Sequence, residues 1–214
     1  MSIRKGLFIV IDGPSGVGKT TITTHVSGLL REHGIPVLAT REPTPSPIGK
    51  LARMGTHHYQ GITLACLVAA DRYHHLETEI RPTLAAGTLV LCDRYLPTSL
   101  VLQWLDGVPA ALLWQLHHYA DRPDLTVILT ADPTVSRERA ATRGNYSRFQ
   151  GGSVEGGTAE LDRYRQVAAE LVNAGMPVYL HDVGTQSAVE VASSVAHEIL
   201  VRIDASNPEA RLLG

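Results

Sequence analysis

Cysteine, net charge and long apolar runs are all scarce in this 214-residue chain, and each scarcity closes a class of function. Two cysteines, Cys66 and Cys92, give neither a disulfide framework nor a zinc-ligand spacing, and their apolar surroundings predict buried, inert thiols. A formal net charge of −2 provides no general field for nucleic acid or an anionic membrane. Any attraction for phosphate is therefore local. No apolar run approaches the roughly 20 residues that cross a bilayer, and a strand-like segment starts almost at once, without a signal peptide. The expectation is a cytoplasmic protein with no membrane and no nucleic-acid partner. Low-complexity linkers and internal repeats are missing too, so the length fits a single domain over residues 1–204, followed by a tail at 205–214.

What is present is sharper. Gly13-Pro-Ser-Gly-Val-Gly-Lys19-Thr20 fits G-x-x-x-x-G-K-[ST] completely. The apolar run Leu7–Ile11 before it reads as a buried strand, and Thr20–Arg31 after it carries apolar residues at helical spacing. In that context the backbone amides of Gly13, Ser15, Gly16, Val17, Gly18, Lys19, Thr20 and Thr21 are expected to cradle the phosphates of a nucleoside triphosphate. Lys19 would reach the β/γ-phosphates, and the Thr20 hydroxyl would ligate Mg²⁺.

Further strand-like runs recur at Ile35–Ala39, Thr88–Cys92, Leu125–Leu129 and Pro177–Leu180. Helical patterns fill the gaps at Thr63–Leu84, Ala110–Tyr119, Val135–Arg143, Ala159–Asn173 and Ala188–Ile203. This alternation predicts an α/β fold with a parallel sheet covered by helices on both faces. Three prolines exclude helix from Arg41 to Pro47. The stretch from about Arg143 to Gly157, rich in Gly, Ser and Asn and carrying Arg143 and Arg148, has the composition of a short lid.

The acceptor side is read from strand ends. Asp93 closes a buried strand at its carboxyl end, where a doubly wound sheet binds ligands, and suits the metal or its water. Arg94 beside it, and Arg41 after the second strand, suit forked contacts to an acceptor phosphate. Three histidine pairs (His57-His58, His74-His75 and His117-His118) invite a metal. Adjacent helical residues diverge by about 100°, however, and they read instead as interface or surface histidines.

Thr40-Arg41-Glu42-Pro43, Ala69-Ala70-Asp71-Arg72, Ile80-Arg81-Pro82 and Cys92-Asp93-Arg94-Tyr95, in this order, resemble the signatures of the thymidylate kinase family. The resemblance runs from about Leu7 to the last helix. It implies a five-stranded P-loop kinase, a Mg·ATP donor, a nucleoside 5′-monophosphate acceptor and a homodimer. Arg41 and Arg94 resemble the arginines that grip the acceptor phosphate, and Arg72 the one at the pyrimidine edge. The resemblance makes Lys19, Arg94 and the lid arginines Arg143 and Arg148 the catalytic candidates, and it places Asp12, Val68, Ser99, Leu102 and Gln103 among the acceptor contacts.

Three departures fall on the nucleoside. Ser15 stands where the family carries an acid for the sugar hydroxyl, Val68 where a phenylalanine stacks on the base, and Leu102 where a tyrosine lies by sugar and base. Tyr73, Tyr95 and Trp104 are nearby aromatic substitutes. The family default is therefore dTMP, with a different or modified nucleotide, or a similar phosphorylated small molecule, as the expectation these positions raise. A deoxynucleoside kinase or another small-molecule P-loop kinase is the alternative. The entrance Ile11-Asp-Gly-Pro-Ser-Gly also resembles cytidylate kinases, which lack the Arg-Glu-Pro and Asp-Arg-Tyr signatures. A nucleotide-binding regulator without an acceptor stands further off, since N-K-x-D is missing.

Overall fold

A computed structural model of the chain describes residues 6–136, 149 and 154–205. Among them, five strands form one sheet: β1 (Phe8–Asp12), β2 (Val37–Arg41), β3 (Leu89–Asp93), β4 (Leu125–Thr130) and β5 (Val178–Asp182). Their spatial order is β2-β3-β1-β4-β5, and every pairing is parallel. The three central strands are buried along their whole length, which is why each reads as an unbroken apolar run instead of an alternation. The expected α/β architecture is what the chain adopts.

Helices cover both faces. On one, α1 (Lys19–Glu32) and α8 (Ala188–Ala205) enclose a core of Ile22, Val26, Leu30, Val191, Val195 and Ile199 against Ile9, Ile11 and Val127. On the other lie α3 (Gly61–His75), α4 (Arg81–Ala85), α5 (Leu96–Leu105), α6 (Ala110–Leu116) and α7 (Val154–Asn173). Together with the turn that joins α3 to α4, they pack Leu76, Ile80, Leu100, Leu113 and Tyr164 onto Phe8, Val10 and Val90. The register pairs Ile11 with Asp93 and Arg41 with Asp93, so the ends of β1, β2 and β3 lie together at one edge of the sheet.

Several expectations are corrected here. The single helix expected over Thr63–Leu84 is three pieces, with a π-helical stretch at Leu76–Ile80 between α3 and α4. Pro82 has no amide to donate to the residue 78 carbonyl, so the regular ladder cannot run through it. A helix not foreseen, α2 (Pro47–Met54), starts where the prolines end. Pro47 sits at its first turn, and the Ser46 hydroxyl caps it by accepting from the Gly49 amide at 3.0 Å. Residues 154–157, assigned to the lid, are the first turn of α7. Apart from Phe149, the rest of the lid, including Arg143 and Arg148, lies outside the described residues, as does the tail from 206. Cys92 is buried as expected, but Cys66 is exposed on α3. No described helix is long and apolar enough to cross a membrane.

Candidate active site

The loop between β1 and α1 is shaped for an anion. Gly13 has φ +144°, and a Cβ there would strike the Leu129 carbonyl of the neighbouring strand, so only glycine lets the chain turn so tightly. Gly18, at φ +105°, starts α1 with no side-chain cap and no acidic residue in the first turn. The helix therefore leaves its first amides and its positive end to a ligand.

Lys19 is buried and folds back, its Nζ donating to the carbonyls of Gly13 at 2.6 Å and Pro14 at 2.7 Å. Burial and then the Arg94 charge lower its pKa to about 7, against the opposing pull of Asp12, Asp93 and Glu160. Thr20 Oγ1 donates to Asp93 Oδ2 at 2.6 Å. The second Asp93 oxygen, Oδ1, is buried without a hydrogen-bond partner. A buried, unpaired carboxylate oxygen beside a threonine hydroxyl is the donor set a hard divalent cation requires, so Mg²⁺ fits these residues.

Asp12 has a different place from the one expected. It is fully buried and lies beneath the cavity. Its carboxylate accepts from the amides of Gly13, Tyr95 and Thr98 and from the hydroxyls of Thr98 and Tyr164. With both oxygens engaged, Asp12 organises the loops that carry Lys19 and Arg94. Arg94 has φ +74°, a conformation costing a non-glycine residue on the order of 1–2 kcal/mol. The bonds from the Arg94 amide to the Ile11 carbonyl and from the Tyr95 amide to Asp12 hold it there.

Three arginines meet above the strand ends. Arg41 ends β2, Arg94 follows β3, and Arg53 comes from α2. Arg53 was not foreseen, because its helix was hidden behind the prolines. Asp71 places it indirectly, accepting from the Thr44 amide and from the hydroxyls of Thr44 and Ser46, and so fixing the turn that starts α2. Burial, then Arg41 and Arg94, lower the Arg53 pKa. For Arg94, burial is outweighed by Tyr164, Asp93, Asp12 and Glu160, and its pKa is raised. Mutually repelling cations held together at a cavity are stabilised by an anion between them.

Arg72 is placed differently from a free reader of a base edge. It is buried, with Nε donating to Glu42 Oε2 at 2.9 Å and Nη2 paired to the same oxygen at 2.8 Å. Its guanidinium lies 4.6 Å over the Tyr95 ring, and Nη1 approaches the His117 ring nitrogens at 3.1 and 3.2 Å. Glu42 Oε1 also meets His75, which reaches Glu79 at 2.8 Å. His75 and His117 are thus buried members of this cluster and not surface residues. Burial and the Arg72 charge push the His117 pKa down to about 2, keeping the ring neutral, whereas at His75 the bonds to Glu42 and Glu79 outweigh burial and raise it. Among the described residues no group of three His, Cys, Asp or Glu side chains could hold a metal.

One cavity of about 380 Å³ joins these parts. Its walls run from Ser15, Gly16, Gly18, Lys19 and Thr20, past the three arginines, to Leu64, Val68, Leu102 and Gln103. Gln103 Oε1 is buried with no partner. Of the other expected site residues, Ser99 is buried off the cavity, Val17 is part of the α1 core, and Gly13 and Thr21 do not line it. The serine at position 15 is not alone either. Its amide and hydroxyl both donate to Glu160 Oε1 on α7, at 3.1 and 3.3 Å, a partner 145 residues away that no local pattern foretells.

The thymidylate kinase domain matches residues 11–194 of this sequence. The chain belongs to the thymidylate kinase family. Relatives include a thymidylate kinase of Pseudomonas putida, 39% identical over 154 residues that span 68% of this chain and 73% of that protein. A probable thymidylate kinase of Pyrococcus abyssi is 38% identical over 153 residues, 68% and 75% of the two chains. One from Staphylothermus marinus is 36% identical over 150 residues, 70% and 74%. Within this family member, Arg41, Arg72 and Arg94 stand at the edge of the shared cavity, as does the Asp93–Thr20 pair. Val68 and Leu102 line it as aliphatic walls.

Proposed function

We propose that this protein transfers the γ-phosphoryl group of ATP to the 5′-phosphate of dTMP. The observation that carries the proposal is the continuity of the cavity, which sets the phosphate-binding loop, three arginines and an apolar recess side by side. ATP would lay its phosphates along the amides from Ser15 to Thr20, with Lys19 turning from its own loop carbonyls to the β/γ-phosphates. Arg41, Arg53 and Arg94 would fix the acceptor phosphate in line, and the nucleoside would enter the recess of Leu64, Val68, Leu102 and Gln103. Thr20 and Asp93 would hold Mg²⁺, which when bound neutralises charge on the donor phosphates. Arg143 and Arg148 are the candidates for spreading charge on the transferring group.

We infer a cytoplasmic homodimer that acts on a free nucleotide and not on nucleic acid. The exposed Ile62 and Cys66, one turn apart on α3, support a helix face that a second copy covers. The net charge of −2 supports a small-molecule acceptor.

A panel of nucleoside monophosphates incubated with Mg·ATP, with products read by mass spectrometry, tests the assignment. Conversion of dTMP to dTDP with matching ADP is expected. Preference for an unphosphorylated nucleoside would overturn the role of the arginines. More efficient use of another monophosphate would overturn dTMP while leaving the kinase in place.

A further inference from the structure

Of the three histidine pairs, His74-His75 supplies a residue whose two ring nitrogens both face carboxylates. His75 ends α3 and is buried. Its Nδ1 lies 3.4 Å from Glu42 Oε1, and its Nε2 lies 2.8 Å from Glu79 Oε2. Thr40 Oγ1, 2.9 Å from Nε2, donates its own proton to the same Glu79 oxygen at 2.6 Å. An ionised carboxylate only accepts, so a ring between two of them is satisfied when both of its nitrogens carry a proton. That form is the imidazolium.

Glu42 connects this ring to the cavity. Arg72 directs both of its bonds to Oε2, from Nε at 2.9 Å and from Nη2 at 2.8 Å, and Oε1 is the oxygen that meets His75. Glu42 and Arg72 line the cavity beside Arg41, whereas His75 does not. An uncompensated Glu42 oxygen there would set a negative charge against an anionic acceptor. Resting on the function proposed above, we propose that His75 is a positioning residue for the acceptor site, its imidazolium neutralising Glu42 Oε1 and holding that carboxylate on Arg72. It acts through Glu42, and the ligand it favours is one that carries a phosphate.

Burial works against the His75 proton, but the bonds and charges of Glu42 and Glu79 outweigh it and raise the pKa. Other groups around Glu42 keep their charge state across neutral pH. Burial raises the Cys92 thiol and the Tyr95 hydroxyl well above their ordinary values. At Arg72 burial is outweighed by Glu42, and His117 is held at about 2 by burial and Arg72. The His75 proton is therefore the one lost as pH climbs, and affinity for an anionic acceptor falls with it.

The test measures binding of dTMP and of thymidine by calorimetry, without ATP, from about pH 7 to about pH 9. Full-length wild type is compared with His75→Gln and Glu79→Gln. Wild type is expected to bind dTMP about tenfold more weakly at the top of this range than at the bottom. His75→Gln is expected to be weak throughout, near the alkaline value of wild type. Lys19, its pKa lowered to about 7 by burial and Arg94, titrates in all three proteins, so the difference between wild type and His75→Gln isolates His75. Glu79 is half-exposed, and its replacement removes one of the two anions that hold the proton. Glu79→Gln should therefore move the loss of dTMP affinity about half a pH unit or more toward acid. Thymidine, which carries no phosphate, should change less than about twofold in each comparison. Parallel dTMP profiles in wild type and His75→Gln overturn the role, as does an unmoved profile in Glu79→Gln. An equal loss of thymidine binding marks a merely structural residue and overturns it too. A wild-type protein that binds no monophosphate near neutral pH overturns the proposed function itself, a result visible before any variant is made.

Discussion

Tyr164 donates its hydroxyl to Asp12 Oδ1 at 2.9 Å, joining the helix after the lid to the strand before the phosphate loop across 152 residues of sequence. Both groups are fully buried. The same Asp12 oxygen takes the Thr98 hydroxyl at 2.7 Å, so one carboxylate ties together β1, α5 and α7 beneath the cavity. Replacing Tyr164 by Phe should cost about 1 kcal/mol of stability, the net worth of one buried hydrogen bond. Asp12→Ala strands several buried donors and should cost about 3 kcal/mol or more. Urea denaturation of the two variants measures this, and an unaltered midpoint for Asp12→Ala would show that the carboxylate organises nothing.

Lys19→Ala should lower turnover at least about a thousandfold, as expected when a preorganised charge at the transferring group is removed. The far-UV circular dichroism should not change, since Nζ bonds only carbonyls of its own loop. Substantial retained activity would place the phosphate site elsewhere.

Burial, and then the like charges of Arg41 and Arg94, lower the Arg53 pKa, so the unliganded protein bears a repulsion that an acceptor phosphate would relieve. Arg53→Met should leave the melting temperature unchanged or raise it, while increasing KM for dTMP about tenfold or more, the worth of a charge-assisted contact. KM for ATP should hold. A variant that loses stability and keeps its acceptor affinity would assign Arg53 to the scaffold.

The two buried histidines should act on stability in opposite pH ranges. His75 has a raised pKa in the fold, so its stabilisation is complete below the ordinary histidine value near 6.5 and fades as pH climbs through the higher folded value. His117, held near 2, refuses a proton that the unfolded chain accepts, so stability falls as pH drops below about 6.5, by at most about 1.4 kcal/mol per pH unit. His75→Gln should therefore flatten the alkaline limb of the stability profile and His117→Gln the acid limb. Melting temperatures from pH 5 to about 9 report both; identical profiles in wild type and variants would remove the histidines from the linkage.

Much of this was legible in the sequence because it is local. The phosphate loop is eight consecutive residues, and the buried central strands announce themselves as apolar runs. Asp93, Arg41 and Arg94 follow from their position at strand ends. Illegible features depend on distant partners. The helix α5 is buried on nearly every side, so it shows no amphipathic period. His75 and His117 look like surface residues until Glu42 and Arg72 are seen between them. Arg53 depends on Asp71 to start its helix.

The pairing of Ser15 with Glu160 has a consequence for how the donor phosphates enter. Both donors of Ser15 end on one carboxylate oxygen, and burial raises the pKa of that carboxylate while Lys19 and Arg94 hold it down. Glu160 thus stands in for an anion, giving the loop's amide and its cations a partner of the right sign. A phosphate oxygen that takes the Ser15 amide must displace that resident carboxylate. Its arrival would break this tie between α7 and the loop, leaving the Tyr164–Asp12 bond to hold the helix in place.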